Sequence, residues 1–260
     1  MIKINDEVLN KEYFPDNTLR MRKLIKDEDI LIEWLYENDE ELAFLYFITK
    51  HIRENKNVKS VMLKMPYIPN ARMDRVKNKD EVFTLKYFAE FINSLNFDKV
   101  IVRDPHSYVS LALINNIECE NIGDKIKSLA TKLLINTNDI IFYPDEGACK
   151  RYSDILGHSN AFGIKKRDFR TGEIKGLDVM GDIPKEKFNV LIIDDICSYG
   201  GTFYHSAKKL KELGADKIYL YVTHLENNIL KGELLKDDLI EKVLTTESIF
   251  TEKNKKIQII

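Results

Sequence analysis

Apolar runs of strand length alternate with helix-period segments along nearly the whole chain. Asp29–Trp34 reads as a strand, followed by an amphipathic helix over about Asp39–Arg53 that carries Leu42, Leu45, Tyr46 and Ile52. Val58–Met65 is the next strand, and Thr84–Leu95 the next helix, with Leu85, Phe88, Phe91 and Ile92 on one face. A strand at Lys99–Arg103, a helix at Asp124–Ile135, a strand at Asp139–Tyr143 and a helix at Glu146–Leu156 continue the pattern. The second half repeats it, with strands at Asn160–Lys165, Phe188–Ile193 and Lys217–Thr223 and a helix at Thr202–Leu213 that stops at Gly214. The runs at 99–102 (Lys-Val-Ile-Val) and 190–193 (Val-Leu-Ile-Ile) lack polar alternation, which predicts strands covered on both faces. That is the pattern of mainly parallel sheets flanked by helices, an α/β class. Two successive α/β units fit the length, with a boundary near residues 136–144, giving 1–138 and 139–260.

Composition narrows the function classes without choosing one. The 260 residues carry 40 Lys+Arg against 42 Asp+Glu, a net charge of −2, so attraction to nucleic acid or anionic membrane through bulk charge is not expected. No apolar run approaches the roughly 20 residues needed to span a bilayer. The start, Met1-Ile-Lys-Ile-Asn-Asp-Glu, shows no basic-then-apolar leader pattern. Cys119, Cys149 and Cys197 are too far apart for a CxxC pair or a disulfide framework, which fits a reducing cytoplasm.

The chemistry concentrates at residues 190–203, Val-Leu-Ile-Ile-Asp-Asp-Ile-Cys-Ser-Tyr-Gly-Gly-Thr-Phe. A buried strand delivers two adjacent carboxylates, Asp194 and Asp195, at its C-terminal end, where open α/β sheets bind ligands. Gly200-Gly201-Thr202 then opens a helix, and glycines let backbone N–H groups approach an anion closely. Carboxylates beside a phosphate cradle suit ribose hydroxyls or a bridging Mg²⁺. There is no Gly-Lys-Ser/Thr, so this is not a Walker A loop.

The segment resembles the ribose-phosphate signature of type I phosphoribosyltransferases and of ribose-phosphate pyrophosphokinases (PRPP synthetases), and three further stretches favour the latter. Residues 65–75 (Met-Pro-Tyr-Ile-Pro-Asn-Ala-Arg-Met-Asp-Arg) look like the synthetase nucleotide segment. Residues 98–107 (Asp-Lys-Val-Ile-Val-Arg-Asp-Pro-His-Ser) look like its strand-plus-Asp-x-His segment, and 143–151 (Tyr-Pro-Asp-Glu-Gly-Ala-Cys-Lys-Arg) like its Pro-Asp-x-Gly loop. The Phe14-Pro-Asp16-Asn-Thr18 stretch is similar to an N-terminal Phe-x-Asp-x-Glu element, with Thr18 in place of the acid. The resemblance spans about residues 14–247.

It implies two successive type I phosphoribosyltransferase-like domains, an N-terminal ATP-binding one and a C-terminal one carrying the ribose-phosphate loop. The implied reaction is Mg²⁺-dependent transfer of the β,γ-diphosphoryl group of ATP to the anomeric hydroxyl of a 5-phosphorylated ribose, with release of AMP. Such a transfer is mostly positioning and charge neutralisation. Phe14, Asp16, Arg72, Asp74, Arg75 and His106 take the ATP-binding positions; His106 and Asp145 take those that hold Mg²⁺. Both follow strands, which would bring them to one rim of a sheet. Lys165, Lys166 and Arg167 fall on the family's flexible catalytic loop, with either lysine a candidate, and Thr171-Gly172 offers a hinge. Asp194 and Asp195 would hold the ribose hydroxyls; Ser198, Tyr199, Gly200, Gly201 and Thr202 would hold the 5-phosphate. The resemblance further implies a homo-oligomer built from dimers.

The chain departs from the family where Asp-Thr is usual and Ser198-Tyr199 stands instead; Met73 also replaces a usual glutamine. A tyrosine adds bulk and an aromatic face able to stack on a base. These changes bear on the acceptor more than on the reaction, and tilt it slightly from ribose 5-phosphate to ADP-ribose, whose product would serve NAD rebuilding. A type I phosphoribosyltransferase and an inactive regulatory homologue are the remaining readings.

Overall fold

A computed structural model describes residues 1–157, 159–167 and 174–260, with the side chains of 165–167, 174 and 175 outside the description. The chain separates into two units, Met1–Glu120 and Asn121–Ile260. This division falls ahead of the 138/139 boundary expected from sequence, because the helix between them packs in the second unit, where Ile126 and Ala130 join Tyr143 and Tyr152 in one apolar cluster.

In the first unit the elements run β1 (Ile2–Ile4), β2 (Glu7–Val8), β3 (Glu12–Tyr13), β4 (Leu19–Arg20), β5 (Asp29–Trp34), α1 (Glu41–Glu54), β6 (Ser60–Lys64), α2 (Thr84–Ser94), β7 (Lys99–Arg103), α3 (Tyr108–Leu113) and β8 (Ile117–Glu120). The sheet order is β2-β1-β5-β6-β7-β8, with β5 to β8 parallel, while β3 and β4 form a separate hairpin. The α1 face differs from the expected one. Phe44, Leu45, Ile48 and Ile52 are buried at i, i+1, i+4 and i+8, whereas Tyr46 lies 40% exposed. At about 100° per residue those four positions fill one arc of about 100°, and Tyr46, a further step of about 100° beyond Leu45, falls outside it.

The second unit contains α4 (Gly123–Leu133), β9 (Ile140–Tyr143), α5 (Glu146–Leu156), β10 (Asn160–Arg167), β11 (Ile174–Gly181), β12 (Phe188–Cys197), α6 (Gly201–Glu212), β13 (Ala215–Leu225), a 3-10 turn at Asn227–Lys231, β14 (Lys242–Thr245) and β15 (Ile257–Ile259). Its sheet runs β11-β10-β9-β12-β13-β14-β15, parallel except for the β10–β11 hairpin. The central strand β12 is covered on both faces. Val190 and Ile192 join one apolar cluster, and Leu191 and Ile193 the other. Each fully buried aliphatic side chain of this kind contributes roughly 1.5–3 kcal/mol. The strand is thereby held rigidly where its polar C-terminal end leaves the core.

Candidate active site

Each unit presents candidate residues at the C-terminal ends of two adjacent parallel strands. In the first unit these are β6, followed by residues 65–75, and β7, followed by 104–107. Met65 N–H donates to the Ile101 carbonyl (2.8 Å) and Arg103 N–H to the Pro66 carbonyl (3.0 Å), so the two chains stay paired just past the sheet. Beyond that point Ser107 Oγ donates to Asp74 Oδ2 at 2.8 Å. This bond joins the Arg72–Arg75 segment to the Asp-x-His segment. Ser107 also accepts from Val109 N–H (3.2 Å), capping α3. Arg75 is 71% exposed on its side chain and reaches back to its neighbour Asp74 at 3.2 Å. Arg72 and His106 are exposed. Phe14 and Asp16 lie in the β3–β4 hairpin. The Thr18 hydroxyl (2.7 Å) and N–H (3.0 Å) both donate to Asp16 Oδ1, and these bonds hold the Asp16 carboxyl below its ordinary range.

In the second unit the adjacent strands are β9, which leads to Asp145, and β12, which leads to Asp194 and Asp195. Asp145 caps α5 by accepting from Ala148 N–H at 3.1 Å. Asp195 is 5% exposed and pairs with Arg151, on the same helix, at 3.4 Å. Asp195 N–H donates to Asp194 Oδ1 at 2.9 Å. Burial first, then the charges of Asp195 and Asp145, push the Asp194 carboxyl well above its ordinary range. The loop that follows turns through Gly200 at φ +81°, a left-handed conformation that costs a side-chain-bearing residue about 1–2 kcal/mol, and α6 starts at Gly201. The N–H groups of its first turn lack intrahelical acceptors, which makes the loop a natural anion cradle. Tyr199 is 56% exposed.

Two expectations need correction. His106 and Asp145 do not share the rim of one sheet, because β7 pairs with β6 and β8 while β9 pairs with β10 and β12. Lys165, Lys166 and Arg167 do not lie in a loop: their backbones pair with Leu177, Gly176 and Ile174 across the β10–β11 hairpin. Thr171-Gly172, the expected hinge, lies outside the described residues.

No family model matches the chain. It is 31% identical to the ribose-phosphate pyrophosphokinase of Pyrococcus furiosus over 81% of this chain and 75% of that protein. The chain belongs to the ribose-phosphate pyrophosphokinase family. The enzyme of the same name from Sulfolobus acidocaldarius is 28% identical, over 96% of this chain and 85% of the relative. The crystal structure of phosphoribosylpyrophosphate synthetase from Mycobacterium smegmatis superposes with a TM-score of 0.76 at 16% identity, covering 97% of this chain and 85% of that one. That likeness establishes the two-domain α/β fold. Membership makes the protein a diphosphotransferase, and the four segments singled out from sequence are the ones the two units carry at their strand ends.

The residues fit a hard divalent cation. Asp194 and Asp195 offer adjacent carboxylates at the end of β12, and Asp145 lies near enough to add, after burial and Asp195, to the upward push on the Asp194 carboxyl. Among the described residues no group of three His, Cys, Asp or Glu is close enough to form a complete cage. Mg²⁺ is commonly held by one or two carboxylates with waters and substrate phosphates supplying the rest. Sequence reasoning assigned no role to three further residues: Ser107, Arg151 and Glu226. The first two sit inside quoted segments; Glu226 carried no local signal at all.

Proposed function

We propose that this protein is a ribose-phosphate pyrophosphokinase that converts ribose 5-phosphate and ATP into PRPP and AMP. The observation that carries the reading is the carboxylate pair Asp194–Asp195 running directly into a left-handed glycine turn and a helix N-terminus at the end of β12. A ribose needs acceptors for its hydroxyls and a phosphate needs donors, and this loop provides both within nine residues. Relatives named ribose-phosphate pyrophosphokinase support a ribose phosphate as acceptor, which we read as ribose 5-phosphate. Asp74, Arg72, Arg75, Phe14, Asp16 and His106 serve ATP. His106 and Asp145, by family resemblance, would each offer a ligand to Mg²⁺, which would supply charge neutralisation on the ATP phosphates. Lys165 or Lys166, together with Arg167, stabilises the transferring group. We infer likewise a cytoplasmic protein that assembles from dimers; no helix among the described residues is long and apolar enough to cross a membrane.

ADP-ribose as acceptor, towards which the sequence tilted, keeps one observation in its favour: the exposed Tyr199 ring beside the phosphate loop. Assaying AMP release with ATP, Mg²⁺ and each acceptor in turn separates the two. The proposal expects fast turnover of ribose 5-phosphate; turnover of ADP-ribose alone would transfer the assignment to it, and turnover of neither would refute both.

A further inference from the structure

The loop that opens α6 rests on a segment that no motif covers. Strands β12 and β13 pair in parallel with Cys197 opposite Leu225, so residue 226 leaves the sheet beside residue 198. Glu226 N–H donates to the Cys197 carbonyl at 2.8 Å, which fixes the backbone at that crossing. Ser198 Oγ then donates to Glu226 Oε2 at 2.6 Å, and Asn228 Nδ2 donates to the same oxygen at 3.1 Å. Two residues further along the loop the contact is steric. A Cβ on Gly200 would meet Leu234 Cδ2 at 3.0 Å, and a Cβ on Gly232 would collide with the Tyr199 carbonyl oxygen. Ser198, Tyr199 and Gly200 are therefore each seated on residues 226–234, at Glu226, Gly232 and Leu234.

We propose that Glu226 is a positioning residue of the ribose-phosphate loop, supplying from the end of the neighbouring strand the carboxylate that position 198 lacks. A hydroxyl donating to a carboxylate at this distance makes a short, charge-assisted bond, about twice as strong as a neutral one. It commits the Ser198 proton to Glu226. The 5-phosphate is then left to the backbone N–H groups of the loop and to Thr202. The carboxylate and the hydroxyl thus act as one unit, reached across 28 residues of sequence.

The proposal rests on the ribose-phosphate reading of this loop, so its test has one readout that needs turnover and one that does not. In steady-state assays of AMP release, Glu226→Ala and the volume-conserving Glu226→Gln are expected to raise KM for ribose 5-phosphate about tenfold, the loss typical of one hydrogen bond to a charged group, and to leave KM for ATP within about twofold. Ser198→Asp alone sets two carboxylates against each other and is expected to be equally impaired. Ser198→Asp combined with Glu226→Gln returns one carboxylate and one donor, the glutamine amide N–H, and should recover KM to within about threefold of the wild type. An unchanged KM in both Glu226 variants, or a double variant no better than Ser198→Asp, would overturn the proposal. In parallel, amide hydrogen exchange over residues 198–204 of the free proteins should quicken in Glu226→Ala and slow again in the double variant. That pattern in a protein that turns over neither acceptor would support the seating and sink the ribose-phosphate reading; unchanged exchange in Glu226→Ala would overturn the seating itself.

Discussion

Replacing Gly232 by alanine tests the seating of the ribose-phosphate loop from its far side. Gly232 has φ −82°, a value any residue adopts, so alanine meets no backbone strain there. What it meets is the carbonyl oxygen of Tyr199, well inside van der Waals contact. Neither atom belongs to a flexible side chain, so loop and seat must part by on the order of 1 Å to reach an ordinary separation. Overpacking of this kind costs about 1–3 kcal/mol. For a chain of this size that corresponds to a fall in Tm of about 2–12 °C. The kinetic effect should be the larger one, because a 1 Å misplacement of groups that position a reacting substrate costs up to about 100-fold. Gly214→Ala is the control. Gly214 sits at φ +100° after α6, and its added Cβ would come no nearer than 3.9 Å to Phe188. It carries left-handed strain of about 1–2 kcal/mol without touching the loop. Thermal unfolding and initial rates of AMP release at varied ribose 5-phosphate and varied ATP separate the two. Gly232→Ala should lower kcat/KM for the acceptor 10- to 100-fold; Gly214→Ala should lose comparable stability with unaltered kinetics. A folded Gly232→Ala protein with an acceptor KM within twofold of wild type would refute the claim that this glycine sets the loop.

Ser107→Ala removes the only bond described between Ser107 and Asp74, so KM for ATP should rise about five- to tenfold while KM for the acceptor holds, as read from the same rate measurements. Arg151→Met leaves Asp195 buried without its guanidinium; with the arginine side chain 17% exposed, about 2 kcal/mol should be lost, seen as a 4–8 °C lower Tm, and Arg151→Lys should recover part of it. Asp139 gives a pH test. Burial would raise its carboxyl, but hydrogen bonds from the N–H groups of Asn189 (2.7 Å) and Asn136 (3.0 Å) and from their side-chain amides outweigh it and hold the carboxyl below 3.8. A depressed carboxyl stabilises the fold above its unfolded value and stops doing so as pH falls through the folded one. Urea titrations should therefore find Asp139→Asn about 1.5–3 kcal/mol less stable at pH 7, with the gap closing below about pH 3.8; a gap constant with pH would contradict the assignment. Tyr199→Thr should change the ratio of ribose 5-phosphate to ADP-ribose turnover with little effect on Tm, since the ring is exposed and only the carbonyl is clamped.

The core elements could be read from sequence because burial on both faces writes an unbroken apolar run. Asp29–Trp34, Lys99–Arg103 and Glu146–Leu156 have the limits expected of them. Elements whose residues face solvent leave no such trace. β11 includes Gly176 and the exposed Asp178 and Met180, and β8 is Ile-Glu-Cys-Glu with no residue fully buried, so neither stands out from a loop. Pairing also depends on partners far along the chain. Nothing local to Asp139–Tyr143 or to Lys99–Arg103 says which sheet each will join, and for that reason His106 and Asp145 were expected on one rim and lie on two. Lys165–Arg167 illustrates the same limit, because a charged run and the end of a hairpin strand are indistinguishable until β11 is known to return beside it.

The candidate site divides along the same line. Asp194, Asp195 and the glycine turn are contiguous, and their chemistry follows from residue types alone. The groups that hold them in place come from elsewhere: Arg151 on α5 for Asp195, and Glu226, Gly232 and Leu234 beyond β13 for residues 198–200. A motif states which atoms meet the substrate; the register of the sheet decides what stands behind them. In this chain the motif departs from its family at Ser198-Tyr199, the two positions whose side chain and carbonyl the 226–232 segment engages. An aspartate at 198 would confront the Glu226 carboxylate, and any residue larger than glycine at 232 would confront the Tyr199 carbonyl. A reading of the loop alone counts Ser198 as a lost acid, whereas the folded chain keeps a carboxylate bonded to that position.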